Sequence, residues 1–273
     1  MIPGKSNISS SLSRKRHTSR MKKFFAYVIF LLFFISLIVL GLTTEKARIK
    51  SVVVSGNSSI TTDDIMKAVE GEINKYYLWI IPTDNIVLLR RSQIEQQILD
   101  NFKKIGFVNV QTTGLDRIKI VIKERESKYL WCEGRFAANS DCYYMDLNGY
   151  IFEKAPLFSN DIFTEYFGLI TDKNPIGQYY FKNSFKNISN LYVDLKKMSF
   201  EPSYFNALDE HEYEVYIIGG GKIIINDSKN FESSLINLQA LVDNKYLKTD
   251  EESLKKIKYI DLRFGNKVNF ELY

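Results

Sequence analysis

The stretch "ARIKSVVVSGNSSITTDDIMKAVEG", Ala47 to Gly71, changes its hydrophobic period halfway along. Ile49 to Ser55 reads as a strand, and Gly56-Asn57 stops it. Thr61 or Thr62 then caps a helix whose first turn carries Asp63 and Asp64, both favourable at the positive end of the helix dipole. Ile65, Met66 and Val69 form its apolar stripe, and Gly71 is expected to end it.

Working toward the C-terminus, the aromatic connection "NKYYLWIIPTDNIVLL" is broken by Pro82. A second helix is expected from about Ser92 to Lys104, with Ile94, Ile98, Phe102 and Ile105 at helical spacing. "FVNVQTTGLDRIKIVIKERE" reads as a hairpin that turns at Gly114 and Asp116. The order is strand, helix, helix, strand, strand. Two helices can cover one face of a three-stranded sheet, which makes residues 48–126 a small α+β domain.

Working toward the N-terminus, "FFAYVIFLLFFISLIVLGL" runs from Phe24 to Leu42 without a charge. At ~1.5 Å per residue it is long enough to cross a ~30 Å hydrocarbon core. A cleaved signal peptide has a shorter apolar run and a small-residue cleavage site. "LTTEKARIK" offers no clear A-x-A site, so residues 24–43 are read as an uncleaved transmembrane helix. Lys5, Arg14, Lys15, Arg16, Arg20, Lys22 and Lys23 crowd the first 23 residues, which contain no acid. This basic tail is expected in the cytoplasm and everything after residue 43 outside. Without the tail, the net charge of +5 falls close to neutral, which argues against a nucleic-acid-binding protein.

Residues 127–273 are expected to form a mainly β extracytoplasmic domain with one packed helix. "YYMDLNGYIFEKAP" carries Asn148-Gly149 where a two-residue hairpin turn is expected, and "YEVYIIGGGKIIIND" turns at Gly219-Gly220-Gly221. The helix runs from Phe231 to about Asp243, with Asp227 or Ser228 placed to cap it. The closing "YIDLRFGNKVNFELY" alternates on both sides of Gly265-Asn266, so it reads as a hairpin that ends on a bare outer strand. Exposed edges attract other strands, and natural proteins usually blunt them.

The two cysteines, Cys132 and Cys142, close a short loop between strand-like runs in the exported part. A disulfide there would stabilise the hairpin by roughly 2–3 kcal/mol on the loop-entropy model. Without nearby histidine the pair makes a poor zinc site. His17 and His211 are the two histidines, and nothing places His211 beside Cys132 with an orienting third group, as a Cys/His hydrolase needs. The glycine triplet lacks phosphate-loop spacing and leads into a strand. Asp141, Asp146 and Asp161 sit among turn residues, in no EF-hand pattern. Asn57, Asn187 and Asn226 each open an N-x-[ST] tripeptide, a pattern that often arises by chance. No cofactor and no catalytic set is expected.

In this order of parts the chain resembles the FtsQ/DivIB-type bacterial cell-division proteins. "IKSVVVSGNSSITTDDIMKAV" is similar to the opening of a POTRA (polypeptide-transport-associated) domain, and "IKIVIKERE" to that domain's last strand. Ile260-Asp261-Leu262-Arg263-Phe264 resembles the opening of the family's closing hairpin. Thr113-Gly114-Leu115 and Glu126-Ser127 stand where many members carry a Trp-Pro turn and a later Pro. The resemblance implies a non-enzymatic scaffold at the division septum. It would bind FtsB/DivIC-like and FtsL-like membrane proteins and help regulate septal cell-wall synthesis. It implies a partner strand added along Lys267, Val268, Asn269, Phe270, Glu271 and Leu272, with Phe264 and Phe270 as apolar contacts. On that expectation Asn269→Pro removes an edge donor if the Asn269 N–H faces outward. The alternative is a POTRA-type transport or chaperone module handling exported polypeptides.

Overall fold

The computed structural model describes residues 9–42, 44–45, 48–73, 76–77, 81–82, 84–134, 140–156, 162–170, 172–182, 184–226, 231–264 and 267–273. Helix α1, Ser9–Leu42, is unbroken, and within it Met21–Gly41 is long and apolar enough to cross a membrane, with a mean hydropathy of 2.8. The chain divides into two compact units. One comprises Met1–Asn101 with Phe107–Lys123, the other Phe102–Gly106 with Glu124–Tyr273.

The first unit contains β1 (Ser51–Ser55), α2 (Thr62–Ile73), the short pair β2 (Tyr76–Tyr77) and β3 (Ile81–Pro82), and α3 (Arg91–Asn101). Most of β4 (Ile105–Thr113) and of β5 (Arg117–Glu124) completes it. The sheet order is β1-β5-β4, with β1 parallel to β5 from Ser51↔Arg117 to Ser55↔Val121. Strand β5 is central, and its alternate residues Ile118, Ile120 and Ile122 are buried. Ile65 and Val69 of α2 and Ile94 and Ile98 of α3 are buried as well, and the Gln97 Nε2 of α3 donates to the Ala68 carbonyl at 2.8 Å. Thr61 caps α2: its Oγ1 accepts from the Asp64 N–H at 3.2 Å and donates to the Asp64 carboxylate at 2.7 Å.

Two expected boundaries move. Helix α2 runs through Gly71 to Ile73, because nothing there requires a left-handed backbone and the Gln97 side chain leaves room even for a Cβ. Helix α3 stops at Asn101, because Ile105 N–H bonds back to the Phe102 carbonyl and turns the chain into β4. Gly56, by contrast, has φ 88°, and a Cβ on it would collide with the Ile122 carbonyl oxygen. Gly56→Ala should therefore lower the stability of this unit by roughly 1–3 kcal/mol. Thermal unfolding of the detergent-solubilised protein measures it, and an unchanged melting temperature would mean that the turn does not approach β5 this closely.

Among the described residues the second unit is built on nine strands and three helices. In chain order these are β6 (Tyr129–Cys132), β7 (Cys142–Met145), β8 (Ile151–Lys154), β9 (Thr164–Gly168), α4 (Phe185–Lys197) and β10 (Pro202–Ala207). Then follow β11 (Glu212–Ile217), β12 (Lys222–Asn226), α5 (Phe231–Asp243), α6 (Glu251–Leu254), β13 (Ile257–Asp261) and β14 (Asn269–Leu272). The sheet order is β14-β13-β12-β11-β10-β9-β6-β7-β8. Strand β9 lies parallel to both β6 and β10, β13 lies parallel to β12, and the remaining pairs are antiparallel.

One sheet face carries the main core. Trp131, Tyr166, Phe205, Tyr213, Val215, Ile223 and Ile260 pack there with Phe185, Ile188, Leu191 and Leu195 of α4, Leu238 of α5 and Leu254 of α6. The opposite face has a smaller cluster of Leu130, Cys132, Phe167 and Tyr204, joined by Ala155 and Phe163 of the β8–β9 connection. In the sheet order β9 lies three places from β8, with β6 and β7 between them. Helix α4 adds to the single helix expected from sequence. Its buried residues recur every three or four positions, so its apolar stripe is ordinary. It also places Asn187 on a helix.

The Asn148-Gly149 connection is wider than a two-residue turn. Met145 pairs with Ile151, and the five residues between them wrap the Asp146 carboxylate. Its Oδ1 accepts from the N–H groups of Asn148 (2.8 Å) and Tyr150 (3.1 Å), and its Oδ2 from the Arg125 guanidinium. The guanidinium also lies 4.0 Å over the Tyr150 ring. The expected cap of α5 by Asp227 or Ser228, the Gly265-Asn266 turn and Asp161 lie outside the described residues.

Candidate partner-docking edge

Strand β14 stands at one end of the nine-strand order, with β13 as its neighbour among the described residues. The pairs are Ile257↔Leu272, Tyr259↔Glu271, Ile260↔Phe270 and Asp261↔Asn269, with a register shift between Ile257 and Tyr259. The shift lets both Ile257 and Ile260 reach the core face. Val268 is half-buried against that core, while Phe270 (39% exposed) and Leu272 (49%) follow it along the same side of the alternation. Lys267, Asn269 and Glu271 are exposed, and so is Phe264, at 56%.

One backbone bond sets which donors face away from the sheet. The Tyr273 N–H donates to the Lys256 carbonyl at 2.8 Å, so it points toward β13. Successive N–H groups of a strand alternate between its two edges. Glu271 and Asn269 therefore also point inward, and the N–H groups of Val268, Phe270 and Leu272 point outward. Asn269→Pro would thus break a β13–β14 rung, and Phe270 is the position where Pro removes an outward donor.

Charged side chains hold the hairpin on its other face. Lys258 Nζ reaches Glu271 Oε1 across the two strands at 2.9 Å. That hydrogen bond holds the Glu271 carboxyl below its usual range and raises the Lys258 ammonium. Asp261 is buried, and Arg263 grips it with its backbone N–H (3.1 Å), Nε (3.0 Å) and Nη2 (2.7 Å), while Nη1 reaches Glu212 at 2.7 Å. Burial alone would raise the Asp261 pKa, but the bonds from Arg263 outweigh it and leave the carboxyl below its usual range. A carboxyl depressed in the folded state contributes stability that is complete above its unfolded pKa of about 3.9. That contribution is lost as pH falls through the lower folded value. Asp261→Asn should accordingly flatten the fall of melting temperature below about pH 4. A variant that loses stability with acid as steeply as the wild type would remove Asp261 from that account.

The sequence reading did not mark Lys258 or Glu212 for this hairpin. The alternation of Asp261 and Arg263 two positions apart is the signal that would have found the clamp. Cys132 and Cys142 face each other as a cross-strand pair of β6 and β7, with Cα atoms 4.1 Å apart and sulfurs bonded at 2.01 Å. His211 is exposed on the β10–β11 turn and lines a cleft of about 490 Å³ with Asp172, Lys182 and Glu210, neither cysteine among its lining. Among the described residues no three His, Cys, Asp or Glu side chains group as metal ligands.

Residues 47–125 match the family model of the POTRA domain, FtsQ-type. No curated protein matches the chain. The matched segment holds β1, α2, α3, β4 and β5, and an apolar helix of membrane-spanning length precedes it. That helix, the FtsQ-type POTRA domain and the largely β region after it together support an FtsQ/DivIB-type protein of a cell-division scaffold family.

Proposed function

We propose that this protein is a non-enzymatic bitopic scaffold of the bacterial division machinery, and that it recruits FtsB/DivIC-like and FtsL-like membrane proteins by strand addition at the outer edge of β14. Its parts divide as a cytoplasmic tail over 1–23, a transmembrane helix over 24–43, a POTRA domain over 48–126 and an extracytoplasmic β domain over 127–273. By holding its partners at the septum it helps regulate septal cell-wall synthesis.

The observation that carries this reading is the edge itself. Val268, Phe270 and Leu272 direct their N–H groups away from the sheet, and the side chains of Phe270 and Leu272 stay exposed beside them. Strand addition draws affinity from main-chain hydrogen bonds and specificity from alternate side chains. An incoming strand therefore needs apolar residues on the Phe270 side and polar ones on the Glu271 side.

The test is to crosslink cells, purify the tagged full-length protein from its own membranes and identify what is bound. Small coiled-coil bitopic proteins are the expected catch. Exported polypeptides or a barrel protein in their place would move the chain to the transport class.

A further inference from the structure

We infer that the basic end of α1, Arg14 to Lys23, is a binding collar for the headgroups of anionic phospholipids in the bilayer that α1 spans. The inference rests on the reading of α1 as a membrane span, and it adds a ligand to a segment otherwise credited only with setting orientation.

The unbroken backbone is the first ground. Helix α1 continues from Ser9 to Leu42, so the helical backbone runs on from the uncharged stretch that starts at Phe24 through the basic segment without a break. At ~1.5 Å per residue, Arg20, Lys22 and Lys23 lie within about 6 Å of Phe24 along the helix axis. That is the depth of one headgroup layer, about 5–7 Å on each side of the hydrocarbon. Arg14, Lys15 and Arg16 follow about 12–15 Å from Phe24, less than or near one Debye length of ~8 Å beyond that layer.

Charge and pattern supply the rest. No Asp or Glu occurs in the first 23 residues, so no side chain of this segment competes with a phosphate for these cations. At about 3.6 residues per turn, positions 14, 15, 16, 20, 22 and 23 spread around about two-thirds of the helix instead of gathering in one stripe. A helix that lies flat on a membrane needs an apolar face. Between Ser9 and Arg20, Leu12 is the one large apolar residue. The segment therefore stands upright among headgroups and gathers them from several sides, each Lys or Arg attracted by the anionic surface.

The experiment reconstitutes the full-length protein in vesicles of phosphatidylcholine containing a minority of phosphatidylglycerol. Spin-labelled forms of the two lipids report how strongly each associates with the protein. A several-fold preference for phosphatidylglycerol is expected, collapsing toward equality at high salt. It should also collapse when Arg14, Lys15, Arg16, Arg20, Lys22 and Lys23 are all replaced by Gln. Equal association of both lipids with the wild type would overturn the inference, as would a preference that survives those substitutions. Flotation of the same vesicles tests the span separately. Protein that floats without lipid preference refutes the collar alone, whereas protein that fails to float refutes the span and the collar together.

Discussion

Replacing Phe270 by Pro should abolish recovery of the bitopic partners while leaving the second unit folded. Pro removes one N–H and fixes φ near −65°, a change that sheets tolerate at an outward-facing edge position. The lost donor sits at the centre of the three outward ones, between Val268 and Leu272. Each net backbone hydrogen bond is worth about 0.5–1.5 kcal/mol, and the partner's carbonyl left without a donor costs about 1–3 kcal/mol more. A weakening of roughly tenfold to a thousandfold follows from that sum. Phe270→Ala separates the side chain from the donor, since it keeps the N–H and loses only the exposed ring. Asn269→Pro is the structural control, because its N–H points to β13 and its loss should lower the melting temperature. Capture undiminished by Phe270→Pro, with the hairpin intact, would refute docking at this edge.

Asp146→Ala should be among the most destabilising single changes in the second unit, at roughly 3–5 kcal/mol. The carboxylate is buried and satisfies two backbone N–H groups of its own turn besides the guanidinium of Arg125. Arg125 is held in place by more than this pair. Its Nε donates to the Lys103 carbonyl at 3.1 Å, and its backbone N–H to the Lys104 carbonyl at 2.8 Å. Alanine would leave a largely buried cation facing an empty site. Asp146→Asn keeps an oxygen for the two turn N–H groups and removes only the charge, so it should cost less than alanine. Chemical denaturation of the full-length protein, followed through the near-ultraviolet signal of the aromatic core, measures both. Equal losses for the two variants would mean that the turn bonds contribute nothing beyond the ion pair.

The opening strand and capped helix were legible in sequence because every signal for them is local: Gly56, Thr61, the first-turn acids and the apolar stripe lie within one short stretch. Helix α4 went unmarked although Phe185, Ile188, Leu191 and Leu195 carry its period. The aromatic and β-branched residues around it favour strands by composition, and a composition bias competes with periodicity in so short a segment. The Asn148-Gly149 turn was misjudged in width because the residue that shapes it, Asp146, acts through Arg125, far away in sequence. At the edge, the alternation of Val268, Phe270 and Leu272 could be read directly. Which of their N–H groups face outward could not, because that depends on how β14 is phased against β13. The Asp261–Arg263–Glu212 contact is likewise a property of the assembled sheet, since Glu212 joins it from β11.

The strand order also links the edge to the whole of its sheet. Strand β14 pairs with β13, and β13 reaches β12 in parallel only after the chain has passed through α5 and α6. The pairs on either side of β9 are parallel too, so the sheet closes only when that strand slots between β6 and β10. Such long-range pairings form late, after their loop-closure entropy has been overcome. A chain halted partway therefore offers no finished edge, and a partner docking at β14 would select completed molecules. By linkage, the same binding draws unfinished chains toward completion. Recruitment at this edge would then count folded protein, not merely delivered protein.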